Sequence, residues 1–204
     1  MAITATAATE MVTTAYSSTK FHQVLDLVPS NDEFKSRGGP QFVYDICRPL
    51  LRKHGLTSVF GVGLVHRHFD IDSDQKLVEF NNITLPWRTT TMTTAGGEDV
   101  EAKIHILPTA WMFDDQEQKW MPYEFSYSPM GKVEPVRLDD ARYRDFLAEY
   151  ACALKDAGLQ KVVGLRLWPG EGFRGGLERT EGKANIWLVP GQVRCRGSVQ
   201  NIKS

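Results

Sequence analysis

The 204-residue chain has little of what would place it quickly, beginning with its three cysteines, Cys47, Cys152 and Cys195. An odd number without any C-x-x-C spacing indicates neither a disulfide framework nor a thiolate zinc site, and it fits a reducing, cytoplasmic setting. Charge of one sign is missing too. Twenty-four basic residues against twenty-five acidic ones give a net charge of -1, which supplies no general field for nucleic acid or anionic lipid, so neither is an expected partner. No apolar run approaches the about 18–20 residues of a bilayer span, and no membrane association is expected. The first nineteen residues hold one acidic residue, Glu10, and no Lys or Arg, unlike a secretory signal or a transit peptide. With few bulky side chains to offset ordering entropy, residues 1–19 read as a flexible tail, residues 20–197 as one domain and residues 198–204 as a polar C-terminal tail.

What is present is a succession of periodic segments. Pro40 opens a helix in which Phe42, Val43, Ile46, Leu50 and Leu51 recur at helical spacing and which Gly55 stops; Pro49 should kink it near Cys47 and Arg48. From Thr57 the period becomes two, through Val62 to Ile71 and then Lys76 to Phe80, with Asp72-Ser73-Asp74 as the turn between them. Residues 102–113 and 119–127 predict a second hairpin across Asp114 to Glu117. A long amphipathic helix follows over 140–157, with Tyr143, Phe146, Leu147, Tyr150, Ala151 and Leu154 in one stripe. Lys161 to Trp168 and Ala184 to Val189 are strand-like around a glycine-rich loop. The pattern predicts an α+β fold, a largely antiparallel meander sheet with two main helices packed on one face.

The segment richest in chemistry is Val65-His66-Arg67-His68-Phe69-Asp70-Ile71-Asp72. On a strand, alternation puts His66, His68, Asp70 and Asp72 on one face and Val65, Phe69 and Ile71 on the other. Two imidazoles pointing the same way can share a metal ion that carboxylates complete, so His66, His68, Asp70 and Asp72 are the candidate ligands of one divalent ion. If its strand pairs suitably with this one, His105 is a further ligand or proton carrier. A metal-free version uses His68 beside a carboxylate as general base. Against both stands the plainer role of a solvated strand face whose histidines merely hydrogen-bond.

The run His66-x-His68-x-x-x-Asp72 resembles the first metal motif of the cupins, with Asp where that family has Glu, and His68-x-Asp70 resembles the start of the facial triad of iron and 2-oxoglutarate oxygenases. Each resemblance covers at most seven residues, and the chain is assigned to neither family. Elsewhere, Gly170-Glu171-Gly172-Phe173-Arg174-Gly175 spells G-x-G-x-x-G, but Leu177 to Gly182 is too short and polar to be the helix a dinucleotide fold needs. A hairpin loop, or a lid that offers Arg174 to an anion, is the alternative. Glu124 among aromatics is a candidate general acid or base, because burial would raise its pKa toward neutrality. Trp111 and Tyr123 are candidates to line an apolar pocket. Cys47 and Cys152 read as buried, inert thiols.

Together these features predict a small soluble enzyme acting on a small organic molecule, with one divalent metal ion as its implied cofactor. His68, His105 and Glu124 are the expected catalytic groups, and Trp111, Tyr123 and Arg174 the expected substrate contacts. The alternative is a non-catalytic small-molecule or protein-binding module with an aromatic-rich sheet. A homo-oligomer is compatible with either.

Overall fold

The computed structural model describes residues 13–88, 106–127, 136–171 and 177–188. The expected His105 and Arg174, the C-terminal tail at 198–204, residues 1–12 and most of the glycine loop lie outside the described residues. Of the segment expected to be a tail, residues 13–19 touch the domain. Thr14 N–H donates to the Trp120 carbonyl at 3.0 Å, and the Tyr16 ring meets Phe125 edge-on at 5.7 Å.

Five α-helices and eight strands alternate in the described chain. Helices α1 (Ser18–Phe21), α2 (Leu27–Ser36), α3 (Gly39–Phe42) and α4 (Arg48–Lys53) come first, with a π-helical turn at Val43–Cys47 joining α3 to α4. The expected kink at Pro49 therefore takes the form of a π-turn. Proline has no N–H to donate and its ring crowds the preceding turn, and widening that turn relieves both. Strands β1 (Phe60–Leu64), β2 (Gln75–Phe80), β3 (Ile83–Arg88), β4 (Ile106–Asp114) and β5 (Lys119–Tyr127) follow. After them come a 3₁₀ turn at Ala141–Tyr143, helix α5 (Arg144–Asp156), and strands β6 (Val163–Leu167), β7 (Leu177–Glu181) and β8 (Ala184–Leu188). Asp140 caps the 3₁₀ turn by accepting the Arg142 N–H at 2.9 Å, and Gly158, with φ of 65°, ends α5 in the left-handed conformation that glycine adopts without strain.

The α+β class is as expected, but the sheet is mixed and is no meander. Its order is β1-β6-β4-β5-β2-β3-β8-β7. The hairpins β2–β3, β4–β5 and β7–β8 are sequence neighbours. The joins β1–β6, β6–β4 and β3–β8 pair distant segments antiparallel, and β5–β2 is parallel. The first hairpin was also misplaced by one element. Asp72 to Asp74 lead into β2, and the turn is Asn81-Asn82, whose φ values of 52° and 64° make the two-residue loop that suits strand twist.

One face of the sheet carries Phe60, Trp111, Phe113, Trp120, Val163 and Leu165 into a core shared with Phe146, Leu147, Tyr150 and Leu154 of α5 and with Phe42, Cys47 and Leu51. Phe146 stacks on Phe60 at 6.0 Å and Tyr150 on Trp120 at 5.5 Å. Cys47 is buried there, its thiol pKa pushed up to about 12 chiefly by burial, whereas Cys152, expected inside, is exposed on the far side of α5. The other face starts from a smaller cluster of Phe21, Val24, Val65, Ile71, Leu77, Ala110 and Tyr123. Beyond that cluster this face turns polar, and the sheet curls until side chains that follow the first strand meet side chains on the last. Among the described residues no helix is long and apolar enough to cross a membrane.

Candidate metal centre

The polar side of the curl is a product of strand register. In β6, Val163, Leu165 and Leu167 take the core face, so Gly164 and Arg166 take the other. Arg166 pairs with Gly61 on one side and Ala110 on the other, and Ala110 pairs with Glu124. Small neighbours leave room for the guanidinium. An added Cβ at Gly63 would lie 2.5 Å from Arg166 Cδ, so glycine is what lets that side chain cross β1. Arg166 Nη2 donates to Glu124 Oε2 at 2.8 Å.

The chain then leaves β1 at Leu64, and residues 65–71 are not a continuous strand. Ser30 Oγ donates to the Val65 carbonyl at 2.9 Å, and Arg67 N–H donates to the Leu25 carbonyl at 2.8 Å, holding the segment against the start of the helical region. The i, i+2 relation of the two histidines survives this. The His66 and His68 rings lie edge to face with centroids 4.4 Å apart. The relation does not carry further. Asp70 is turned outward and exposed, paired with Arg67 at 3.0 Å, and Asp72 lies on the surface, so neither joins the histidines. Alternation fails because beyond Val65, whose N–H still bonds to the Val162 carbonyl, the segment leaves the ladder and is held by a single bridge between Arg67 and Asp26 in the connection that precedes α2.

The third donor comes from the other edge of the sheet. Glu178 of β7 brings Oε2 to 3.4 Å from His66 Nε2 and 3.9 Å from His68 Nε2, and donor atoms of all three residues lie within 4.8 Å of one another. Tetrahedral zinc with bonds of about 2.0–2.1 Å has ligand-to-ligand edges of about 3.4 Å, so small side-chain movements would complete such a set. His66 Nδ1 lies 3.0 Å from the Leu64 carbonyl. Donation there keeps a proton on Nδ1, pointed at that carbonyl, and directs Nε2 at Glu178, with a free lone pair when the ring is neutral. That Nε2 is buried and, among the described residues, has no hydrogen-bond partner.

Charge in the cluster is unbalanced. Burial alone would raise the Glu124 pKa, but the Arg166 guanidinium, then His68 with Nε2 at 3.8 Å, outweigh it and hold the carboxyl at about 2. The expectation that burial would bring Glu124 toward neutrality is thus reversed by a neighbour that the local sequence did not contain. Glu178 is likewise lowered, burial opposing it and His66 and His68 prevailing. Burial would lower His66, yet Glu178 and the Leu64 carbonyl raise it above the ordinary histidine value. Glu79, on the same face of β2, is raised chiefly by burial. Two carboxylates face one guanidinium, and a proton on His66 or a cation would supply the missing positive charge.

Of the remaining candidates, Trp111 lies outside this cluster and Tyr123 borders it. Trp111 is in the core on the opposite face, edge-on to Phe60, and is no wall of the site. Tyr123 is fully buried, its hydroxyl without a hydrogen-bond partner among the described residues and its pKa raised by burial and by Glu124. Glu178, Arg166 and Asn185, whose Nδ2 lies 3.3 Å from His68 Nε2, were not singled out from the sequence. Arg166 left a signal, a charge at one alternating position of an apolar strand. Glu178 left none, because Leu177 to Glu181 has too little apolar periodicity to read as a strand.

Comparison with known proteins gives no relative: no protein-family model, curated protein or solved structure matches this chain. The site departs in any case from both local resemblances, since its carboxylate lies on the last sheet strand and not at Asp70 or Asp72.

Proposed function

We propose that this protein binds one divalent metal ion, zinc by the chemistry of the donors, through His66, His68 and Glu178, and acts on a small organic molecule inside the curl. The observation that carries the reading is the buried His66 Nε2, aimed by its backbone contact at Glu178 Oε2 3.4 Å away and, among the described residues, lacking a hydrogen-bond partner. Two imidazoles and one carboxylate are a donor set that leaves zinc a position for water or substrate. Bound there, the ion would polarise a carbonyl or make a water molecule acidic. Glu124, held ionised near neutral pH by Arg166, accepts a hydrogen bond from a substrate hydroxyl or amine and has no proton to give there. Curling of the sheet shelters these groups from bulk water, which strengthens their fields.

Protein stripped with chelator and reloaded with zinc is expected to retain about one equivalent by elemental analysis, and His66→Ala, His68→Ala and Glu178→Ala to lose it, while Asp70→Ala keeps it. Cobalt-loaded parent protein should show the intense visible bands of a four-coordinate ion. Failure of the parent chain to retain zinc, cobalt or manganese after repletion sinks the metal reading whatever the variants do.

A second reading, a non-catalytic binding module, draws on Asn185. Its Nδ2 lies at hydrogen-bond distance from His68 Nε2, which occupies the lone pair the ion needs. On that reading Asn185→Ala leaves metal content at zero; on the first it leaves the ion in place or tightens its hold.

A further inference from the structure

We infer that the same site takes a carboxylate-bearing small molecule, held between the metal ion and Arg166, an inference that rests on the metal reading above. Three observations support it. First, Arg166 is under-used. A guanidinium has five N–H donors, and among the described residues Arg166 makes one hydrogen bond, from Nη2 to Glu124. Its Nη1 stands 4.0 Å from Glu178 Oε1, too far for a hydrogen bond, and a third of the side chain is exposed. Second, Nη1 borders the ion's position, because Glu178 offers Oε2 to the histidines and turns Oε1 toward Arg166. An oxygen on the ion's open position would therefore lie beside unused donors, and the planar fork suits a carboxylate. Third, charge permits it. Glu124 and Glu178 exceed Arg166 by one negative charge, a divalent ion turns that into one positive charge, and one monoanion then makes the contacting groups neutral.

Gly63 is the positioning residue in this arrangement. Its missing side chain is the space through which Arg166 Cγ and Cδ pass, so Gly63→Ala displaces the guanidinium and keeps every charge. The test uses the full chain loaded with zinc, metal content being measured in every sample. Acetate is titrated against its neutral isostere acetamide at constant ionic strength, with binding read by calorimetry and by the shift in Tm. Acetate is expected to bind and acetamide not. Gly63→Ala and Arg166→Gln are each expected to weaken acetate by about tenfold or more, equal to about 1.4 kcal/mol. Equal response to acetate and acetamide by zinc-loaded protein overturns the inference and leaves the metal site standing. Acetate binding that neither variant weakens overturns the role of Arg166, and inorganic phosphate binding more tightly than acetate overturns the ligand class. Absence of zinc from the parent chain overturns the underlying reading instead.

Discussion

At the scale of single residues, the same chemistry that assembles the interior cluster also fixes surface turns, and one of these gives a clean pH dependence. Asp114 ends β4 and accepts the Gln116 N–H at 2.9 Å, while Lys20 bridges it to Glu117. Burial opposes ionisation of Asp114, but Lys20 and the two turn N–H groups prevail and lower its pKa. A carboxyl lowered in the folded state contributes fully above its unfolded value of about 3.9 and loses that contribution as pH falls through the folded value. Asp114→Asn is therefore expected to cost about 1 kcal/mol in urea unfolding near pH 7. The difference should shrink as pH falls below about 4. A difference that is unchanged between those conditions would assign the loss to the turn's hydrogen bonds and not to charge.

Among the elements, α5 was the most legible because thirteen residues sample its stripe several times over. Phe146, Tyr150 and Leu154 all face the core where periodicity put them. Phe146→Ala should destabilise the protein by about 3–5 kcal/mol, measured as a lower denaturation midpoint at unchanged slope. The second hairpin was legible for a similar reason, two alternating runs around an acidic turn. Misreadings gathered where a few residues decide. Asn81-Asn82 is the true hairpin turn, although Asp72-Ser73-Asp74 carries equally good turn residues. Asn82→Val, forcing a β-branched residue to φ of 64°, should cost about 1–2 kcal/mol by thermal unfolding, and no cost would mean that the turn relaxes freely. The candidate site was half legible. The pairing of His66 with His68 needs only local spacing, whereas Glu178, Arg166 and Glu124 join them through strand register, which local sequence does not specify.

The molecule as a whole is closed by its polar cluster. Among the described residues the β7–β8 hairpin joins the rest of the sheet through two register pairs, Ile83 with Ile186 and Thr84 with Asn185, together with the Trp187 N–H bonded to the Asn82 carbonyl. Glu178 adds the contact across the curl to His66. Glu178→Ala should therefore speed amide exchange in residues 177–188 by about tenfold or more and leave β4–β5 unchanged, because local opening tracks the contacts that hold a segment. Uniform change across the sheet would show instead that the hairpin opens only with the whole domain. The strand order has one more result. His68 and its partner Asn185 stand 117 positions apart, and the one carboxylate of the donor set, Glu178, belongs to the later part of the chain. During synthesis the imidazoles emerge long before any carboxylate that could complete their ligation, so metal capture would report a finished polypeptide and could not guide its early collapse.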